Sequence, residues 1–437
     1  MRLHWFSPLP PAKTDIAHYT TRILPDLRAE IEVVLWVDQP EWDSALEDYA
    51  TIRRYDLRQM PWRELNSADV CIYHIGNNPL FHGPIWLISR RHPGIVVLHD
   101  LCLQHFFAGL YLEQWHDRNS YMALMELYYG LAGRRDAQIF CDGGFSTEYM
   151  SEHYPLTPLA IENALGVIVH TREAFNQVKN ANRWPVTYLS LPYAASVSAR
   201  QNRLETLHPS VKDGPYRLIT FGYIGPNRQL DLLLRALAEF PQRDQFRLSV
   251  YGQLWDSGYV QSLIGSYRLD GLVKLHGFVT EAELDHALSS AHLAVNLRYP
   301  SMGEASGSQL RIWDHSLPSL VTRVGWYADL PKDTIAFVCP GHEIEDIQAH
   351  LRAFLNDPSS FVKMGENGRR VLEEHHGPKL YAQAIMNSAV KAQRFRSHAV
   401  ASALAQRVGE EMSLWTRIDT PKEVYRRVAE EIHALVL

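Results

Sequence analysis

Short apolar runs alternate with helix-like segments along this chain, and they do so in two successive series. The first series is His4–Phe6, Ile31–Val37, Val70–Ile75, Gly94–His99, Gly166–His170 and Val186–Leu191. The second is Leu218–Phe221, Phe246–Tyr251, Val273–Leu275, Leu293–Leu297, Leu320–Thr322 and Ile335–Val338. Buried runs separated by helices predict parallel sheets covered on both faces, because parallel strands need long crossover connections. Between the series, hydrophobic periodicity is lost over 194–214, which reads as a linker. A chain of 437 residues also exceeds one ordinary core. The expected division is residues 1–193, a linker over 194–214, a second domain over 215–376 and a helical segment over 377–437.

In sheets of this kind ligands bind beyond the carboxyl ends of the strands. The most informative strand end follows Leu293–Leu297. There Glu304 stands in a loop, and Ser306, Gly307 and Ser308 stand at the entrance of a helix expected over Ser308–Ser316. Leu310, Trp313 and Leu317 form its core face, Pro318 stops it, and Ser319–Thr322 reads as the next strand. Unpaired N–H groups at a helix entrance receive anions, and Gly307 lets the backbone approach closely. The stretch suits a diphosphate carrying a hydroxyl-rich group; it equally suits a capped helix with a solvated Glu304.

Other strand ends supply further candidates. In FGYIGPNRQL, Gly222 and Gly225 permit a tight turn, Asn227 can cap, and Arg228 can clamp a diphosphate with its planar fork. In the first half, Pro8, Pro10 and Pro11 stiffen a loop that ends at a capping Thr14 or Asp15. Asn77, Asn78 and His82 can bond sugar hydroxyls or serve a local turn. His99 and Asp100, with His105 nearby, place a carboxylate beside an imidazole, which suits a carbon developing positive charge; a helix-capping Asp is the plainer alternative. Residues 103–149 are too long for a simple connection. They read as two helices whose aromatics, Phe106, Phe107, Tyr111, Trp115, Tyr121, Tyr128 and Tyr129, are expected to be mostly core.

Composition narrows the function. A formal charge of −6 argues against non-specific nucleic-acid binding. Four cysteines without CxxC spacing argue against a zinc site or a disulfide framework, and no Asp-x-Asp pair or His/Asp cluster stands beside the candidate phosphate site to suggest a metal. No apolar run reaches bilayer-spanning length and no signal-peptide core is visible, so the expected setting is cytoplasmic, with peripheral attachment at the inner membrane surface left open. The GxGxxG fingerprint of a dehydrogenase is absent after both first strands. Near the end, Thr420-Pro421-Lys422-Glu423 reads as a helix start followed by a stripe of Val424, Val428, Ile432 and Leu435. That stripe suits packing on the chain itself or on a second copy.

The pattern Arg-Tyr-Pro…Gly-Glu-x-Ser-Gly-Ser over 298–308, then Leu310-Arg311, Pro318 and Val324-Gly325-Trp326, resembles the retaining glycosyltransferases of family 4. The resemblance covers roughly the first nine-tenths of the chain as fold, with its specific motifs after Leu218. It implies an α/β chain of two Rossmann-like domains facing a cleft (the GT-B fold), with a helix over Lys379–Lys391 crossing back and an extra helical tail. It implies an acceptor-side first domain and a second domain that binds a nucleotide sugar. Glu304 would contact the donor sugar, and Gly222, Arg228, Arg298, Arg311 and the Ser306–Ser308 entrance would hold its diphosphate. His99 and Asp100 would act near the sugar carbon, and Asn77, Asn78, His82 and His105 would face the acceptor. The sequence departs from the pattern where Tyr223 replaces a first cation, Asp15 replaces a glycine, and Arg311-Ile312 stand near an expected second Glu. The expected function is transfer of a sugar, with retention, from a nucleotide-diphosphate sugar to a carbohydrate or glycolipid, without cofactor or metal. The alternatives are an epimerase or phosphorylase of the same fold, or a degenerate scaffold partner of another transferase.

Overall fold

The computed structural model describes residues 1–196, 215–414 and 422–434. The chain forms two units, one of Met1–Leu189 with Lys379–Leu437 and the other of Ser190–Pro378. Most of the proposed linker and residues 415–421 and 435–437 therefore lie outside the described residues, including Thr420, Pro421 and Leu435.

The first unit holds a seven-stranded sheet in the order β3-β2-β1-β4-β5-β6-β7. The strands are β1 (Arg2–Phe6), β2 (Glu32–Val37), β3 (Thr51–Arg54), β4 (Val70–Ile75), β5 (Ile95–Leu98), β6 (Gly166–Val169) and β7 (Val186–Tyr188). Every pairing is parallel. β4 is buried along its whole length, as the VCIYHI run requires for a central strand with helices on both faces. β3 was not expected. It is an edge strand whose TIRR sequence is largely exposed, so it carries no apolar run to reveal it.

The second unit holds six parallel strands in the order β10-β9-β8-β11-β12-β13. These are β8 (Tyr216–Phe221), β9 (Phe246–Tyr251), β10 (Val273–Gly277), β11 (Leu293–Asn296), β12 (Ser319–Thr322) and β13 (Ala336–Val338). The order reverses between β8 and β11, and such a switch point opens a crevice at the carboxyl ends of those two strands. In the first unit the corresponding switch lies between β1 and β4.

Segment 103–149 contains a short helix (Gln104–Ala108), a π turn (Gly109–Gln114) and a long helix (Arg118–Cys141) kinked at Gly130, whose φ is +69°. Phe106, Phe107 and Tyr121 are buried, Tyr111, Tyr128 and Tyr129 pack beside that core, and Trp115 is exposed. The helix Pro378–Leu414 belongs with the first unit from Lys379 onward, and buries Tyr381, Ile385, Ala389 and Ala392. No helix among the described residues is long and apolar enough to cross a membrane.

Candidate functional site

The switch point of the second unit is built from two loops. The first leaves β8 at Gly222, whose φ of +105° suits glycine. Gly252, at φ +111° after β9, packs directly on it: a Cβ there would lie 2.0 Å from the Gly222 carbonyl oxygen. A Cβ on Gly222 would meet Arg228 Nη2 at 3.1 Å and Ser308 Oγ at 4.0 Å. Glycine at 222 thus keeps a space lined by a cation and a hydroxyl.

Arg228 was expected to offer its planar fork to a diphosphate. It is buried, because the Pro226–Arg228 3-10 turn folds its side chain back under the loop. Its Nη2 donates to the Phe221 carbonyl at 3.0 Å and its Nη1 to Asn296 Oδ1 at 2.6 Å. Asn227 does not cap the next helix. That helix opens at Leu230 from Gln229 in a left-handed conformation, without a side-chain cap.

The second loop leaves β11 and enters the helix Gly307–Asp314, whose Leu310 and Trp313 are fully buried together with Leu317 beyond it. Ser306 is its cap: the hydroxyl oxygen accepts from Gln309 N at 3.1 Å, and the residue is buried. Ser306 therefore accepts from the helix it caps, and Gly307 and Ser308 follow it at the helix entrance. Glu304 accepts from Met302 N at 2.7 Å and pairs with Arg298 Nη1 at 2.8 Å. Arg298 was expected as a diphosphate cation, but its Nη1 orients Glu304. Its backbone N–H donates to Thr322 Oγ1 at 2.9 Å, tying the loop to β12.

Arg311 was also expected at the diphosphate, and the structure engages its guanidinium with two carboxylates. Its guanidinium lies 2.8 Å from Glu281 and 2.7 Å from Asp285, on the helix Glu281–Ser290. The two carboxylates are four residues apart and so share one helix face, and they hold Arg311 by two ion pairs.

In the first unit, Asp100 Oδ2 accepts from Asn77 N at 2.8 Å. The Asn77 amide serves the same loop, donating to Cys102 O at 2.7 Å and accepting from Phe106 N at 3.3 Å. Asn78 caps the helix Pro79–Ser89. His82 is buried and its Nδ1 donates to the His74 carbonyl, while its Nε2 and Asp100 Oδ2 both border Gly76. His105 lies 3.9 Å from Glu148. The side chains of Asn77, Asn78 and His82 thus each bond to backbone groups of the first unit.

Sequence reasoning missed a ring cluster beside Asp100. His74 Nδ1 lies 2.8 Å from His99 Nε2, and the Tyr19 ring stands edge-on to both imidazoles. His170 joins at 5.4 Å from His99, and the Tyr381 hydroxyl is hydrogen-bonded to that of Tyr19. The available signal was a histidine inside an otherwise apolar strand, His74. Burial holds His74 and His99 well below the ordinary imidazole value and lowers His82 to about 4. The unfolded chain therefore binds protons from about pH 6.5 downward while the folded chain does not, so stability is full above that value and falls with pH. For His82 the loss approaches about 1.4 kcal/mol per pH unit between its two values. Melting temperature is expected to drop between pH 7.5 and 5, less steeply in His82→Gln; equal slopes for both proteins would remove His82 as a source.

Among the described residues no group of three or more His, Cys, Asp or Glu is placed to hold a metal ion, and the four cysteines are unpaired.

Two Rossmann-like units of this topology define the GT-B fold, and comparison with solved structures agrees. The chain is similar to Anabaena Alr3699/HepE, solved in complex with UDP, at 14% identity and TM-score 0.59, over 88% of this chain and 98% of that one. It is similar to the sucrose-phosphate synthase of Thermosynechococcus elongatus at 16% identity and TM-score 0.60, over 89% and 98%. WaaG, a glycosyltransferase involved in lipopolysaccharide biosynthesis, matches at 14% identity and TM-score 0.54, over 88% and 99%. No curated protein matches the chain. Residues 208–371 match the family model described as glycosyl transferases group 1, so the second unit carries a domain of that family.

Proposed function

We propose that this chain is a glycosyltransferase that moves a sugar, with retention of configuration, from a nucleotide-diphosphate sugar to a hydroxyl of a carbohydrate or glycolipid. The observation that carries the reading is the Gly222 turn. A cation, a serine hydroxyl and the entrance of the Gly307–Asp314 helix border one small space at a sheet switch point, within the group 1 domain. That combination suits a diphosphate. Support comes from the fold neighbour HepE, which has been solved with UDP-glucose as well as with UDP.

In this mechanism Glu304, already oriented by Arg298 and Met302 N, accepts hydrogen bonds from the donor sugar's hydroxyls. Arg228 and the helix entrance meet the diphosphate as its bond to the sugar breaks and negative charge gathers there. Because these groups are fixed before the reaction, they stabilise that charge without reorganising. The reading assigns neutralisation to arginine and no step to a divalent cation or cofactor. His99 and Asp100 are assigned to the acceptor side in the first unit. Calorimetric titration with UDP, GDP, ADP and CDP tests the reading: stoichiometric binding of at least one supports it, while heats indistinguishable from dilution for all four oppose it.

A further inference from the structure

Beneath Arg228 runs a chain of buried polar side chains that the mechanism above does not use. Asn296 Nδ2 lies 3.1 Å from Gln309 Oε1, and Gln309 Nε2 lies 2.8 Å from Ser319 Oγ. Asn296 is 4% exposed, and Gln309 and Ser319 are 0% exposed. The direction of every bond follows from one end. A guanidinium only donates, so Asn296 must offer Oδ1 to Arg228 Nη1; its Nδ2 must then donate to Gln309 Oε1, which turns Gln309 Nε2 toward Ser319. Each amide has one orientation, and a bond chain polarised by a charge at one end is stronger than its separate links.

The same Gln309 also donates its backbone N–H to the Ser306 cap. One residue therefore ties the opening of the Gly307–Asp314 helix to the cation beneath the Gly222 turn. We propose that Asn296 and Gln309 are positioning residues that hold the Arg228 guanidinium in register with the helix entrance, so that both meet the same diphosphate. This rests on the reading that Arg228 binds that group.

The test is a double-mutant cycle on the full chain, titrating inorganic pyrophosphate by calorimetry. Gln309→Met keeps the volume but removes the acceptor of Asn296 Nδ2. It is expected to weaken pyrophosphate about tenfold, equivalent to 1.4 kcal/mol. In an Arg228→Ala background the same substitution is expected to change affinity less than about twofold, because a residue acting through Arg228 has nothing left to act on. A full tenfold loss in both backgrounds would make Gln309 merely structural and overturn the proposal. If Arg228→Ala alone leaves affinity unchanged, the diphosphate reading fails first. If Arg228→Ala weakens binding and Gln309→Met does not, only the positioning role fails. Should Gln309→Met not fold, Ser319→Ala is measured instead: about a threefold loss confined to the Arg228 background supports the proposal, and unchanged affinity overturns it.

Discussion

Arg228→Ala is expected to lower turnover about a hundredfold or more, the range seen when one preorganised oxyanion donor is lost. The family resemblance implies a cation where Tyr223 stands, Arg311 is held by Glu281 and Asp285, and Arg298 Nη1 is engaged with Glu304. In the proposed mechanism Arg228 therefore carries a large share of leaving-group stabilisation. The structure adds a cost that the position in sequence does not suggest. Removing the side chain leaves Asn296 Oδ1 and the Phe221 carbonyl without these donors, a loss of about 1–3 kcal/mol for each buried group left unsatisfied. Melting curves must accompany the kinetics, with turnover measured well below the lowered midpoint. Arg228→Lys keeps the charge but cannot reproduce a fork bonded to two acceptors, and is expected to fall between wild type and alanine. Near-normal turnover in a folded Arg228→Ala would move the role to the helix entrance.

Glu304→Gln is expected to cut sugar transfer roughly tenfold to a hundredfold, because a hydrogen bond to a charged partner is worth about 1.5–3 kcal/mol. Nucleoside diphosphate affinity is expected to stay within about threefold. The amide can still accept from Met302 N, which limits rearrangement of the loop. It cannot balance the Arg298 guanidinium, so the variant also leaves an added positive charge near the diphosphate. Equal losses of transfer and of nucleoside diphosphate binding would make Glu304 a loop-building residue only. Kinetic and calorimetric titrations of one preparation decide between these.

The two parallel sheets were legible because their strands are continuous apolar runs buried on both faces, as in Val70–Ile75. Exposed β3 carries no such signal. Gly222 and the 303–308 loop were legible because their chemistry is local, a tight turn and a helix entrance. Side-chain direction was not. Arg228 turns inward because Asn296, sixty-eight residues away, offers it an acceptor. Arg311 turns away because Glu281 and Asp285 share a helix face, a spacing visible in sequence but meaningful only once β11 brings the two helices together. The His74, His99 and His170 cluster joins three strands and two tyrosines, Tyr19 and Tyr381, that lie 362 residues apart. No window along the chain contains it. Asn77 bonds Cys102 O and Phe106 N, partners more than twenty residues away that its own turn does not announce.

Transfer of a sugar with retention is decided by product analysis. The protein would be incubated with a panel of nucleotide sugars and with carbohydrate and glycolipid acceptors, with a chelator present. Mass spectrometry would follow released nucleoside diphosphate, and proton NMR would read the anomeric configuration of the glycoside. At least one donor is expected to yield nucleoside diphosphate and a glycoside of the donor's own configuration, undiminished by the chelator. A product of inverted configuration, or binding of nucleoside diphosphate without transfer to any acceptor, would contradict it.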